Sequence, residues 1–345
     1  MHGTPTSQLR LGLAGFGRLA RGYYVPALRG MRGARVVAIA DPLETSRIAA
    51  LAAFPGASVC AELGELLDRP LDGLLVASPP STHLHAWNAA AAAGLPVFME
   101  KPFVVRGQLP QVLAAGRERR PLLMVNLNRR FWPPYQLIRG AVQGGAVGEL
   151  ETVGVQLRVD LRPWCTVTRH RLDASEGGVL YDLGSQALDL CCWITGREAT
   201  SVRAKPDGAD GLGNGLRLEL SLAGGASAHC AIAYADRTAE RVKVDGSLGR
   251  LWLSDPNMAV HRGPRGASGS LLDSARDLVT LTYRGLRRSR SMSRWTIAQA
   301  LRTFVACIRA GAPFAPGFDD AVRNASLLEA AADSIAPRAP ALKNA

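Results

Sequence analysis

The stretch LRLGLAGFGRLA, residues 9–20, decides the fold. Leu9, Leu11 and Leu13 alternate and stop at Gly15, the pattern of a strand. Gly15-x-Gly17-x-x-Ala20 then opens a helical stretch over 19–29. The first glycine permits a tight turn, the second lets a pyrophosphate approach the backbone, and the small third residue lets helix and strand pack closely. The helix start faces the phosphates. Gly15, Phe16, Gly17, Arg18 and Leu19 are therefore candidate dinucleotide contacts. The next strand, 36–40, ends at Asp41, 21 residues after Ala20. A carboxylate there bonds a ribose 2′-hydroxyl and repels a 2′-phosphate, which favours NAD over NADP. Arg47 nearby weighs the other way, and an Asp-Pro turn is the plainer use of Asp41.

Outward from this unit the chain alternates strand and helix. Helices are expected at 43–53, 62–67, 83–93 and 108–118, and strands at 71–77, 96–99 and 121–125. That rhythm predicts a parallel sheet with helices on both faces. Past residue 126 it changes. A helix at 135–143, a strand at 152–159 and a helix at 177–193 lead into short strands at 201–204, 216–222, 226–234, 241–245 and 250–254. Consecutive strands joined by Gly-rich turns predict an open, mostly antiparallel sheet. Helices at 294–310 and 319–332 close the chain. The expected domains are 8–125 and 126–336, with a loose tail at 337–345.

Composition agrees with two globular domains: 345 residues, 47% hydrophobic and 20% charged, which excludes a largely disordered chain. Net charge is +12, and only four of the 41 cationic residues are lysines. The arginines are spread along the chain, so no nucleic-acid partner is expected. Arg284, Arg287, Arg288, Arg290 and Arg294 are denser and follow an apolar stripe from Leu271 to Leu286. This reads as a core-docking helix with a solvated end, ahead of a membrane-surface contact. The six cysteines include no Cys-x-x-Cys pair, so no metal is expected and the setting reads as reducing and cytoplasmic. No leader segment opens the chain, and no apolar run is long enough to span a bilayer.

Two loops at strand ends carry the chemistry. Ser78-Pro79-Pro80-Ser81-Thr82-His83 follows one parallel strand, and Glu100-Lys101-Pro102 follows the next. Ligands bind at that edge of an open α/β sheet. Ser78, Pro79, His83, Glu100 and Lys101 are thus candidates for the cofactor edge. A lysine there can hand a proton to, or take one from, a substrate oxygen. A surface lysine is the plainer reading.

These residues resemble the Gfo/Idh/MocA oxidoreductases, relatives of glucose–fructose oxidoreductase and inositol dehydrogenase. The resemblance rests on residues 77–102 with Ser-Pro-Pro, His83, Gly94 and Glu-Lys-Pro. It extends to NRRFWP at 128–133, GGAVGE at 144–149, GGVLYDLG at 177–184, DGSLGRL at 245–251 and the helix at 319–334. It covers about residues 8–336. It implies a Rossmann doubly wound domain followed by an α/β domain with an open antiparallel sheet, a nicotinamide cofactor, and oxidation or reduction of a sugar-like or cyclitol-like alcohol or ketone.

Carried over by motif, Lys101 handles the substrate hydroxyl and Asp182 is the acidic residue beside it. The family often has an acid/base histidine four residues later, where this chain has Gln186. At helical spacing Asp182, Gln186 and Asp189 share a face. Glutamine can orient a hydroxyl but cannot take a proton at neutral pH. Lys101 alone, or Tyr181 or His170, would then move the proton. Alternatively the chain is a same-fold protein without net dehydrogenase activity, holding NAD for a redox-neutral reaction or serving as a binding or regulatory homologue. Arg130, Trp164 and Arg169 are candidate substrate contacts. Arginines around the glycine strip would suit a uronate, sugar phosphate or nucleotide sugar. An open sheet with an apolar outer face predicts a homodimer or homotetramer.

Overall fold

Leu11, Gly12, Leu13 and Ala14 are all buried, so the first strand is covered on both faces rather than on alternate sides. A side chain on Gly12 would come within 2.7 Å of Leu71 and 2.9 Å of Leu66. The alternation of leucines there reflects close helix packing, not one wet face. The computed structural model describes residues 8–119, 122–162, 177–207, 215–254, 259–264, 279–281 and 289–335.

The chain divides into two compact units. The first holds Met1–Trp132 and Leu286–Ala325; the second holds Pro133–Gly285 and Ser326–Ala345. In chain order the first unit begins with β1 (Leu9–Ala14), α1 (Val25–Arg29), β2 (Ala34–Ala40), α2 (Glu44–Ala53), β3 (Ser58–Cys60) and α3 (Leu63–Leu67). It continues with β4 (Gly73–Val76), α4 (His83–Ala92), β5 (Val97–Met99), α5 (Leu109–Arg119) and β6 (Leu123–Val125). The second holds α6 (Pro133–Gln143), β7 (Leu150–Val159), α7 (Ser185–Thr195), β8 (Ala199–Pro206), β9 (Gly215–Leu222) and β10 (Ser227–Tyr234). It continues with β11 (Ala239–Gly246), β12 (Gly249–Ser254), β13 (Ala259–Gly263) and β14 (Val279–Leu281); α8 (Ser289–Ala310) then belongs to the first unit, and α9 (Phe318–Ile335) begins in the first and ends in the second.

The first sheet runs β3-β2-β1-β4-β5-β6, all parallel, the doubly wound order with its switch point between β1 and β4. Successive side chains alternate between two cores. Leu74, Val76, Val97 and Met99 join Trp87 and Phe318 on one face, while Leu75 and Phe98 join Leu11, Leu13 and Phe304 on the other. Phe304 belongs to α8, which sequence order assigns to the second domain. The helix after β1 is short and opens with a π turn at Ala20–Tyr24. Ile297, Leu301 and Phe304, one stripe of α8, fill the remaining face. The expected contiguous division at 125/126 is thus replaced by an interleaved one.

The second sheet runs β14-β13-β12-β11-β7-β10-β9-β8, antiparallel except where β7 pairs β10. Val153, Val155, Leu157, Cys230, Ile232, Val242 and Val244 point inward, and α7 packs on β7 and β10. Period-two alternation sends the charges outward. Arg203, Glu219, His229, Gly154 and Lys243 lie in one cross-strand row by register. The outer face is therefore charged, not apolar as expected. Trp164, Arg169, His170, Arg284, Arg287, Arg288, the tail and most of the stripe at 271–286 lie outside the described residues; within that stripe Val279–Leu281 is strand β14, paired with β13, so the helix expected there does not run through 279–281.

Candidate functional site

Because every strand of the first sheet is parallel, the loops after β1, β2, β4, β5 and β6 share its carboxyl edge. They bring together Gly15, Asp41, Ser78, Lys101 and Asn126 from across 112 positions of sequence.

The glycine turn fits a dinucleotide. Gly15 has φ +89°, and a Cβ on it would lie 2.7 Å from Ser78 N and 2.8 Å from Ala77 C. Only glycine packs there. At Gly17 a Cβ would meet nothing within 4 Å, so the backbone at that point borders open space. That is the close approach a pyrophosphate needs. Ala20 is fully buried, as tight helix packing requires. Phe16, by contrast, buries its ring in the core edge-on to Phe54, at a centroid distance of 6.3 Å. Leu19 leans on the same core. Their side chains support the turn.

Asp41 is buried, and its carboxylate has structural work. Oδ2 accepts the Phe16 N–H at 2.7 Å, and Oδ1 accepts the Leu43 N–H at 2.9 Å. Each oxygen keeps a further lone pair for a ribose hydroxyl. Arg47 directs Nη1 at the carbonyls of Asp41 and Pro42, 2.9 and 2.7 Å away. It clamps the turn backbone.

Beyond β5 lies a buried network that sequence reading missed. Glu100 Oε1 accepts the Tyr24 hydroxyl at 2.7 Å and Asn126 Nδ2 at 2.6 Å, and its Oε2 accepts the Lys101 N–H at 3.3 Å. Burial pushes the Glu100 carboxyl above its usual range; the two side-chain donors and the Lys101 charge pull it back without undoing this. Burial, then the Glu100 charge, pushes the Tyr24 phenol well up. Tyr24, Glu100 and Asn126 come from three separate elements, so no spacing rule links them. The network fixes the backbone from which the half-buried Lys101 side chain projects.

His83 is fully buried, with Nδ1 2.8 Å from the Pro102 carbonyl and Nε2 3.0 Å from the Ser78 carbonyl. Ser78 is half-buried and Pro79 exposed on the same loop. Arg130 donates to Asp320 Oδ1 at 2.9 Å, a carboxylate that also accepts from Arg323 and from Gly317 N–H. Burial alone would raise the Asp320 carboxyl; Arg130 and these donors outweigh it and hold it low. Arg130 thus anchors the start of α9 within the first unit.

In the second unit the glycine strip makes a π turn at Leu180–Gly184 that leads into α7. Gly177 and Gly178 have φ +93° and +53°, and a Cβ on Gly177 would collide with the Tyr181 ring. Asp182, Gln186 and Asp189 are all buried. So is almost all of α7, which means a shared helix face does not by itself single out these three. Asp182 Oδ2 accepts the hydroxyl of Tyr234 at 3.1 Å. Tyr234 was not foreseen: it closes an apolar strand and looks like a sheet-packing residue. Among the described residues no group of three His, Cys, Asp or Glu could hold a metal ion, and no helix is long and apolar enough to cross a membrane.

Comparison with known proteins agrees with this arrangement. Residues 9–127 match the family model described as "Oxidoreductase family, NAD-binding Rossmann fold", and residues 135–252 match "GFO/IDH/MocA C-terminal domain". The inositol 2-dehydrogenase of Rhizobium meliloti (strain 1021) is 26% identical over 339 residues, covering 96% of this chain and 98% of that protein. The inositol 2-dehydrogenase of Leifsonia xyli is 35% identical over 211 residues, 59% of this chain and 58% of that protein. Two solved structures share the fold. One is an Agrobacterium radiobacter oxidoreductase in complex with NAD+, L-tartaric acid and magnesium (TM-score 0.80, 19% identity, 95% and 96% covered). The other is a myo-inositol dehydrogenase from Corynebacterium glutamicum (TM-score 0.76, 22% identity, 95% and 97% covered).

Proposed function

Since the chain belongs to the Gfo/Idh/MocA oxidoreductase family, with its NAD-binding Rossmann domain, we propose that it is a dehydrogenase or reductase acting on a CH–OH carbon. Its substrate is a sugar-like, cyclitol-like or nucleotide-sugar alcohol or the matching ketone. The observation that carries this reading is the placement of Lys101 on the same sheet edge as the Gly15–Gly17 turn, braced by the buried Glu100 network. When bound, the nicotinamide supplies the hydride acceptor or donor.

The chain's own residues supply the rest. Gly15 and Gly17 admit the pyrophosphate, and Asp41 holds the ribose and disfavours a 2′-phosphate, so NAD is preferred to NADP. Lys101 exchanges the hydroxyl proton. Asp182, held by Tyr234, accepts a bond from a substrate hydroxyl, and Gln186 orients the substrate without taking its proton. Tyr234 brings a hydroxyl donor to Asp182, so Gln186 does not leave this site without a group that can pass a proton. That favours a dehydrogenase over a same-fold binding protein. An anionic sugar suits the arginine-rich chain. The described cysteines are free thiols, which suits a reducing, cytoplasmic setting. The charged outer face of the second sheet removes the apolar-face argument for assembly, so a homodimer or homotetramer rests on the family resemblance alone, and light scattering reads it.

The test is turnover of a polyol and nucleotide-sugar panel with NAD, followed by Lys101→Met. The variant should lose 10²-fold or more in kcat, the usual range for a removed acid/base group, while its NAD Kd by calorimetry stays within a few-fold of wild type. A variant that still turns over would end the assignment of Lys101.

A further inference from the structure

We propose that His83 is a positioning residue: a strap that ties the loop carrying Lys101 to the loop backing the dinucleotide turn. The hydrogen-bond ladder between β4 and β5 ends where Glu100 N–H reaches the Val76 carbonyl at 3.1 Å. Past that point the two loops present carbonyls to one another's neighbourhood, Ser78 O on one side and Pro102 O on the other. Carbonyls only accept, so they cannot bond each other; holding them together requires a donor with two edges. The imidazole of His83 fills that role, with Nδ1 2.8 Å from Pro102 O and Nε2 3.0 Å from Ser78 O. A neutral ring donates to one carbonyl, and a protonated ring donates to both.

Each anchor leads to a functional group. On one side, the Ser78 backbone is the wall against which Gly15 turns, 2.7 Å from where a Cβ would stand. That loop is stiffened by Ser78 Oγ to Thr82 Oγ1 at 2.7 Å and by Thr82 Oγ1 donating to Pro79 O at 2.8 Å. On the other side, Pro102 is bonded directly to Lys101. The ring is fully buried between the loops, so its work is to set their spacing rather than to touch a ligand. The sequence places His83 at a helix start near the pocket; only the structure shows that both ring nitrogens are aimed at backbone.

The NAD arm of the test rests on the Rossmann domain, and the turnover arm rests on the role proposed above for Lys101. In the full chain, His83→Asn retains a donor near the Nδ1 position and so the Pro102 anchor. His83→Gln reaches the Nε2 position and so the Ser78 anchor. His83→Phe keeps volume and neither anchor. The Gln variant should lose about tenfold in kcat with a smaller change in NAD Kd, the Asn variant the reverse, and the Phe variant about tenfold in both; one lost hydrogen bond to a buried group is worth about this factor. Asn and Gln variants that change both constants alike would overturn the proposal, because plain packing has no such split. Should the variants not fold, ¹⁵N shifts of the wild-type ring decide: a proton on each ring nitrogen is expected, and a bare nitrogen on either edge overturns the strap. A wild type that binds NAD but turns over no substrate defeats the functional reading instead, and the Kd arm still reads the Ser78 anchor.

Discussion

Tyr234 donates its hydroxyl to Asp182 across 52 residues of sequence, at 3.1 Å and with both side chains buried. A buried carboxylate needs donors to stay in place, and this phenol fixes which oxygen of Asp182 is engaged. Tyr234→Phe keeps the ring and removes the bond. We expect kcat to fall about 10- to 100-fold, the cost of taking a donor from a buried acceptor. NAD Kd should not change, because the cofactor turn belongs to the other unit. An undiminished kcat would remove Tyr234 from the proton path.

Asp41 does two jobs, and a variant should reveal both. Asp41→Ala removes the acceptor for the N–H groups of Phe16 and Leu43 as well as the carboxylate proposed to hold the ribose. We expect NAD affinity to fall about tenfold and the preference over NADP to shrink by a similar factor, with Tm lower by several degrees. Calorimetry with both dinucleotides measures this. A preference that survives the substitution would place cofactor selection elsewhere.

Much of this was legible in sequence because it is local. Gly15, Gly17 and Asp41 sit at spacings fixed by one βαβ unit, and the strand runs of the second unit show plain period-two alternation. What sequence hid is what folding brings from afar. Tyr24 and Asn126 reach Glu100 from 76 and 26 residues away. Arg130 reads as a substrate contact until Asp320, 190 residues on, is found beside it. Helix α8 looks like part of the second domain because order in the chain says nothing about which face of a sheet lacks cover. The strands β3 and β13 carry no alternating apolar run, and β14 falls inside the stripe at 271–286 that reads as a helix.

Glu100 ties stability to pH with a definite sign. Its carboxyl titrates above the usual 4.5 in the folded chain because it is buried. The protonated form is therefore the favoured one in the fold. Its contribution is complete below about 4.5 and is lost as pH rises through the raised value. Urea unfolding from pH 4 to 8 should show that decline in wild type, and Glu100→Gln should flatten it. Equal slopes in the two proteins would contradict the assignment.

Arg130 and Asp320 act in the opposite sense. The Asp320 carboxyl is held low, so its contribution is present above about 3.8 and lost as pH falls through the depressed value. The side chains are only 10% and 23% exposed, so solvent screens the pair little. A double-mutant cycle with Arg130→Ala and Asp320→Ala should give a coupling of about 1–3 kcal/mol at neutral pH, shrinking in acid. A coupling near zero would reopen Arg130 as a ligand contact.

The interleaved path of the chain has a consequence for its birth on the ribosome. Domains commonly fold as they emerge, amino-terminal part first. Here the parallel sheet lacks Phe304 and the rest of α8 on one face, and Phe318 on the other, until the intervening second unit has been made. The nascent nucleotide-binding half must wait, with part of its apolar surface bare, while the whole antiparallel half is synthesised. Its dependence on chaperones during translation should therefore exceed that of a Rossmann unit encoded in one uninterrupted stretch.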